Sequence, residues 1–237
     1  ITVQKGTISL NLKAGRKTDL MQRLLAVLGN VEDTYVLTLE AKGAYQDVLT
    51  GTVIFYENGQ QLNQTPIPLT NGTASMEYSG PSAGTHEISA EYVLPADGPE
   101  KENYNDPAQV SCSFEVEKAD EDQIQIKEVD GKLYGDDPFE LELTGQKGTG
   151  AVKFSVPADN GVLELSEVNG KTEAKIIGAG TVLVTAEVAG DSDYNGTTVT
   201  REITVGKAQA PEISVAEPKI APVPADAPEE VKEIANL

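Results

Sequence analysis

Ala83-Gly84-Thr85-His86-Glu87-Ile88-Ser89-Ala90-Glu91-Tyr92 puts residues 86, 88, 90 and 92 on one side and Glu87, Ser89 and Glu91 on the other. Strict alternation of this kind is the pattern of a half-buried strand. The phrase returns as Ala179-Gly180-Thr181-Val182-Leu183-Val184-Thr185-Ala186-Glu187-Val188, down to the Ala-Glu pair near its end. Upstream of each copy stands a Gly-x-Val-x-Phe phrase, at Gly51 to Phe55 and at Gly150 to Phe154. Downstream stand Asn103-Tyr104-Asn105 and Asp193-Tyr194-Asn195-Gly196. Landmarks kept in one order define two copies of one unit. The first copy is longer between Thr85 and Tyr104 than the second between Thr181 and Tyr194, around Pro95 to Glu100. An insertion between preserved strands is expected in a surface loop.

A shorter phrase marks the boundaries. Ile1-Thr2-Val3-Gln4-Lys5-Gly6 recurs as Phe114-Glu115-Val116-Glu117-Lys118-Ala119 and as Ile203-Thr204-Val205-Gly206-Lys207-Ala208. Each is a closing strand followed by Lys-Gly or Lys-Ala at the start of a connection. The expected division is a first domain over 1–118, a second over 119–208 and a tail over 209–237. Read the same way, Ile1 to Gly6 is the end of an upstream domain, which makes this chain a middle piece of a longer protein.

The second copy carries seven period-two segments, at 124–126, 139–143, 152–156, 163–165, 174–176, 182–186 and 199–205. Turn phrases such as Asp130-Gly131, Gly148-Thr149-Gly150 and Asp159-Asn160-Gly161 separate them. Asn169-Gly170 reads as a hairpin turn, because both central positions of that turn need positive φ. The first copy repeats the plan with Ile8/Leu10/Leu12, Tyr35/Leu37/Leu39, Val53/Phe55, Ile67/Leu69, Ala74/Met76/Tyr78, Ile88/Ala90/Tyr92 and the Cys112 strand. Short strands with one apolar face each predict an all-β fold of two tandem immunoglobulin-like β-sandwiches.

One segment departs from that plan. From Thr18 to Gly29, apolar residues at 20, 21, 24, 25 and 28, a cap in Thr18 or Asp19 and a stop at Gly29 predict an amphipathic helix over about 18–28. It is inserted after the first strand, where it is expected to close one end of the core; a partner-binding face is the other reading. Residues 209–237 hold Pro211, Pro218, Pro222, Pro224 and Pro228, a density that favours an extended, semi-rigid and acidic tail.

The chain has 38 acidic against 18 basic residues, a net charge of −20, and the acidity is spread over all three segments. Such a chain repels phosphate backbones and anionic lipid, so neither nucleic-acid binding nor electrostatic membrane docking is expected. No apolar run is long enough to span a membrane. A single cysteine excludes an intrachain disulfide, and Cys112 falls on the apolar side of its strand as a buried, inert structural thiol.

With Gly51 to Tyr56, Asn71-Gly72-Thr73-Ala74, Ala83 to Tyr92 and Asn103 to Asn105, the first copy resembles the bacterial Ig-like domains of large secreted and cell-wall proteins of Gram-positive, often gut-dwelling, bacteria. The second resembles them through Tyr134 to Phe139, Gly148 to Val152, Ile177 to Thr181 and Gly190 to Asn195. The resemblance implies an extracellular, secreted or cell-wall-attached module. It further implies a spacer, stalk or adhesive role without catalysis, with neighbouring domains of the same polypeptide as partners.

The chemistry is sparse. The only histidine, His86, stands where the second copy has Val182, and reads as a structural imidazole near the end of a sandwich. Nucleophilic catalysis needs a positioned nucleophile and an orienting acid, for which no motif speaks. Gly190-Asp191-Ser192-Asp193-Tyr194-Asn195 has oxygen ligands at a spacing that suits calcium but lacks the closing bidentate acid, and reads as a solvated turn, as does the acidic loop from Asp97 to Asp106. Tyr104 and Tyr194, at equivalent positions before the last strands, read as packed corner tyrosines rather than a glycan platform. A lysine-asparagine isopeptide would need a buried lysine, asparagine and acid together. No catalytic, cofactor or metal residue is therefore assigned. Two functions follow: a structural spacer that presents other domains, or an adhesion module that binds glycan or a host surface protein through its loops or the 18–28 helix.

Overall fold

The computed structural model describes residues 4–17, 29–45 and 48–209. The helix expected over 18–28 and nearly all of the proline-rich tail lie outside them.

The described residues of 4–118 form nine strands: β1 (Ile8–Arg16), β2 (Gly29–Asn30), β3 (Thr34–Gly43), β4 (Thr52–Glu57), β5 (Gln60–Gln61), β6 (Ile67–Pro68), β7 (Thr73–Ser79), β8 (Gly84–Val93) and β9 (Val110–Glu117). One sheet runs β1-β3-β7, and the facing sheet runs β2-β9-β8-β4-β5 with β6 beside β4. Residues 119–209 add β10 (Gln125–Ile126), β11 (Phe139–Glu140), β12 (Leu143–Thr144), β13 (Val152–Ser155), β14 (Leu163–Val168), β15 (Lys171–Ile176), β16 (Gly180–Val188) and β17 (Thr197–Val205). Here β11-β15-β14 faces β13-β16-β17, with β10-β12 as a short third pair. No paired strand of the described residues crosses from one group to the other.

The alternation read from the sequence is what fills each core. In β3 the odd residues Tyr35, Leu37, Leu39 and Ala41 are buried while Thr34, Val36, Thr38 and Glu40 are half-buried and Lys42 is exposed. Leu37, Leu39 and Ala41 meet Val53 and Phe55 of β4 and Ile88, Ala90 and Tyr92 of β8 from the facing sheet. Leu163, Ala174 and Ile176 meet Val182, Val184, Ala186 and Ile203 in the same way in the second unit. Each buried Val, Leu, Ile or Phe among them contributes about 1.5–3 kcal/mol on leaving water, so the two facing stripes are what hold the sheets together. The fold is all-β, two immunoglobulin-like sandwiches in series.

The hairpin at Asn169-Gly170 has φ of 53° and 76°, and β14 pairs with β15 in register from Val168↔Lys171 to Leu163↔Ile176. Two elements differ from the sequence reading. The segment 139–143 is two strands: Phe139 and Glu140 pair with β15, whereas Leu143 and Thr144 pair with β10. The chain changes partner at buried Leu141, whose N–H still bonds Thr172 O. Alternation is unbroken through that crossing, so the pattern cannot report it. In the first unit the inserted loop closes with a helical turn, α1 (Pro99–Asn103), with Pro99 in its first turn and Glu100 beside it.

Candidate functional site

The joint between the sandwiches gathers the most specific geometry in the molecule. It begins with the Lys118-Ala119 phrase that follows β9. Ala119 N–H donates to Asp193 O at 3.0 Å, and Asn195 N–H donates to Ala119 O at 2.9 Å, a short parallel bridge to Tyr194. Lys118 Nζ reaches Asp191 O at 2.5 Å, and Asn195 Nδ2 donates to Asp120 at 2.8 Å. Because both backbone groups of Ala119 are taken, the connection has lost the torsional freedom of an ordinary linker.

The turn that grips the phrase is held by carboxylates. Asp191 Oδ2 accepts Thr149 N–H at 2.6 Å and its hydroxyl at 3.1 Å, while Oδ1 accepts the N–H groups of Asp193 and Tyr194 at 2.9 and 2.8 Å. Those backbone donors, Thr149 first, hold the Asp191 carboxyl down at about 2. Glu121, buried, accepts Lys147 N–H at 2.6 Å and Gly148 N–H at 2.7 Å and fixes the adjoining loop. Gly150 ends that loop because a Cβ there would sit 1.7 Å from Ala189 O.

Three sets of contacts bridge the units. Asp193 Oδ1 accepts Ala83 N–H at 2.9 Å. Lys147 Nζ pairs with Glu32 Oε1 at 2.5 Å, both nearly half-exposed, so water screens much of their attraction. Val31, Tyr35 and Val116 of the first unit pack with Ala119, and Ala83, Phe114, Tyr78 and Tyr194 lie against this cluster. Burial raises the Tyr35 hydroxyl above its ordinary value, with the Asp33 charge adding to it.

His86 sits just behind this face. Nδ1 lies 2.5 Å from Glu57 Oε1 and Nε2 lies 2.8 Å from Ser82 O; Tyr78 Oη donates to Glu57 Oε2 at 2.8 Å. Phe114 stacks on the imidazole at 5.4 Å between centroids and packs against Tyr35 at 4.9 Å. Burial and then Glu57 drive the Tyr78 hydroxyl far above its ordinary value. Both ring nitrogens are committed, one of them to a carbonyl, so the imidazole anchors the Ser82-Ala83 turn and has no lone pair aimed at a nucleophile.

The other residues singled out in the sequence fall as follows. Tyr104 is buried as a corner tyrosine, whereas Tyr194 is half-buried and forms part of the joint. The acids of the 190–195 turn are directed at backbone amides. In the 97–106 loop, Glu100 accepts the Thr50 hydroxyl at 2.8 Å and Asp106 pairs with Lys101 at 2.9 Å. Cys112 is half-buried rather than buried, and burial raises its thiol above the ordinary value. Every described lysine is exposed except Lys132, which is half-buried over the Phe139 ring. Among the described residues no three His, Cys, Asp or Glu side chains converge as metal ligands. Sequence reasoning missed Asp193 and Glu121 as joint residues. The signal lay in the Asp193-Tyr194-Asn195 phrase, which was legible as a landmark but not as a grip on the preceding linker.

No protein-family profile matches this chain, and no curated protein resembles it. Solved structures do. The fibronectin(III)-like modules of CbhA from Clostridium thermocellum are 15% identical with a TM-score of 0.28, over 86% of this chain and 100% of that one. A membrane-anchored protein from Corynebacterium diphtheriae is 13% identical with a TM-score of 0.31, over 93% of this chain and 62% of that one. Domains 4 and 5 of the S-layer protein SbsC are 15% identical with a TM-score of 0.28, over 84% and 99%.

Proposed function

We propose that the chain is a non-catalytic structural segment of a multidomain protein outside the cell, with Ig-like domains over 1–118 and 119–208 and an acidic proline-rich spacer over 209–237. Its work is to hold the domains before and after it at a set separation and orientation. The observation that carries this reading is the Ala119 joint: a linker reduced to a clamped residue, bonded at both its N–H and its C=O and flanked by an apolar cluster. A flexible tether needs none of this, whereas a strut needs all of it. The extracellular setting is supported by the resemblance to secreted and cell-wall Ig-like domains.

The reading is tested with spin labels at exposed Asn11→Cys and Lys153→Cys in a Cys112→Ser background. One narrow distance between the sandwiches is expected, and a broad distribution refutes the strut. Protease treatment of intact cells tests the location, since the segment should be released without lysis. Binding to a glycan array by the purified chain would replace the spacer with an adhesion module.

A further inference from the structure

The geometry at the other end of the first sandwich repeats the joint without showing what it joins. Gly6 N–H donates to Asn103 O at 2.7 Å, Asn105 N–H donates to Gly6 O at 3.2 Å, and Gly6 forms a parallel bridge to Tyr104. Lys5 Nζ reaches Lys101 O at 2.7 Å. Bond for bond, this is how Asp193-Tyr194-Asn195 holds Lys118-Ala119. The supporting acid is repeated too. Glu100 Oε1 accepts Thr50 N–H at 3.3 Å and its hydroxyl at 2.8 Å, as Asp191 does for Thr149. That match sets the register of the loop before it, so Val48 stands where the second sandwich has Lys147, and Asn103 stands where it has Asp193.

In the visible joint, Lys147 and Asp193 are the residues that reach across to the preceding sandwich. Among the described residues, their counterparts Val48 and Asn103 are exposed. Val48 is 71% exposed and Tyr45, beside Gly6, is 72% exposed. Both rank among the most exposed large apolar side chains of the described residues, and both lie at this pole. A groove of about 450 Å³ runs between Val48, the Glu40–Gly43 end of β3 and Asn71–Thr73. Two strongly exposed apolar side chains beside a groove are the kind of surface that a contact covers.

We infer that this pole docks the far end of another β-sandwich, which precedes Lys5 in the same polypeptide. The inference rests on the reading of the chain as a strut in a series. It adds the chemistry of the next joint. The backbone clamp is the same, but the ionic contact made by Lys147 and Glu32 is replaced by an apolar one through Val48 and Tyr45. The occupant therefore presents an apolar residue where the first sandwich presents Glu32. It also offers an amide N–H to Asn103 Oδ1, as Ala83 does to Asp193.

The test uses the polypeptide extended by the residues encoded before Ile1. One spin label sits on the preceding sandwich and one at Asn11→Cys, with the Asn11-Lys153 pair as internal standard. A single narrow distance is expected across the upstream joint, as narrow as across the visible one. Val48→Asp should broaden it toward that of a flexible linker while the Asn11-Lys153 distance stays narrow, which also shows that the first sandwich remains folded. A broad upstream distribution in the parent, with the internal standard narrow, overturns the inference and leaves the strut reading of the visible joint intact. A distance that appears only with rising concentration assigns the pole to a second copy and overturns it as well. If no sandwich is encoded before Lys5, the inference and the serial reading fall together.

Discussion

His86 and Glu57 are a pair that the second sandwich does without. The shared register places Val182 at the position of His86 and Val156 at the position of Glu57, and both valines belong to the second core. Replacing His86 by Val alone strips the partner from the Glu57 carboxylate, whose side chain is 21% exposed. A fully buried pair broken in this way loses 3–5 kcal/mol. Residual solvent access and the Tyr78 hydroxyl lower that to about 2 kcal/mol here. The double variant His86→Val with Glu57→Val instead builds the apolar contact that the second sandwich already uses, and it should recover most of the loss. Urea unfolding of the full chain, followed by near-ultraviolet signals of the first sandwich and its five described buried or half-buried tyrosines, measures both. A double variant no more stable than His86→Val alone refutes the argument that the two positions are interchangeable solutions to one packing problem.

Three further outcomes are expected. Phe55→Ala, at a fully buried position, should cost 3–5 kcal/mol in the first sandwich and leave the second transition in place, read as a split in a calorimetric scan. Asp193→Ala removes the acceptor of Ala83 N–H and should broaden the Asn11-Lys153 distance distribution while both sandwiches keep their separate unfolding midpoints; an unchanged width would show that the apolar cluster alone sets the joint. Asp191 is held down at about 2 in the folded chain against about 3.9 unfolded, so the stability it lends is present above pH 4 and fades as pH falls from 4 to 2. Acid unfolding of the parent should therefore be steeper across that window than that of Asp191→Asn.

Much of the fold was legible because its information is local. Alternation places Tyr35, Leu37 and Leu39 of β3, residues 86, 88, 90 and 92 of β8 and 182, 184 and 186 of β16 on the buried side, since a half-buried strand must alternate; buried Ala41 and Val188 extend the same faces beyond the segments read. The Asn169-Gly170 turn was legible because few residues accept positive φ. The switch of sheet at Leu141 was not, because a strand can change neighbours without changing its pattern of faces. Nor was the parallel pairing of Gly29 and Asn30 with Val116 and Glu117, two residues long and with no period to show. At the joint, the phrases Lys118-Ala119 and Asp193-Tyr194-Asn195 were visible as markers. Their mutual bonding was not, because it runs through backbone atoms that any residue could supply.

That last point bears on how a series of such units keeps its order. A clamp built from main-chain N–H and C=O groups is indifferent to sequence, so it can recur at Gly6 and at Ala119 although the gripping turns read Asn-Tyr-Asn in one case and Asp-Tyr-Asn in the other. It fixes geometry but cannot tell one neighbour from another. Discrimination falls to the few side chains around it, where Lys147 meets Glu32 at one pole and Val48 stands exposed at the other. A half-exposed ion pair adds little affinity, but placing Lys147 against an apolar neighbour, or Glu32 against Val48, forfeits that contact and desolvates a charge with nothing in return.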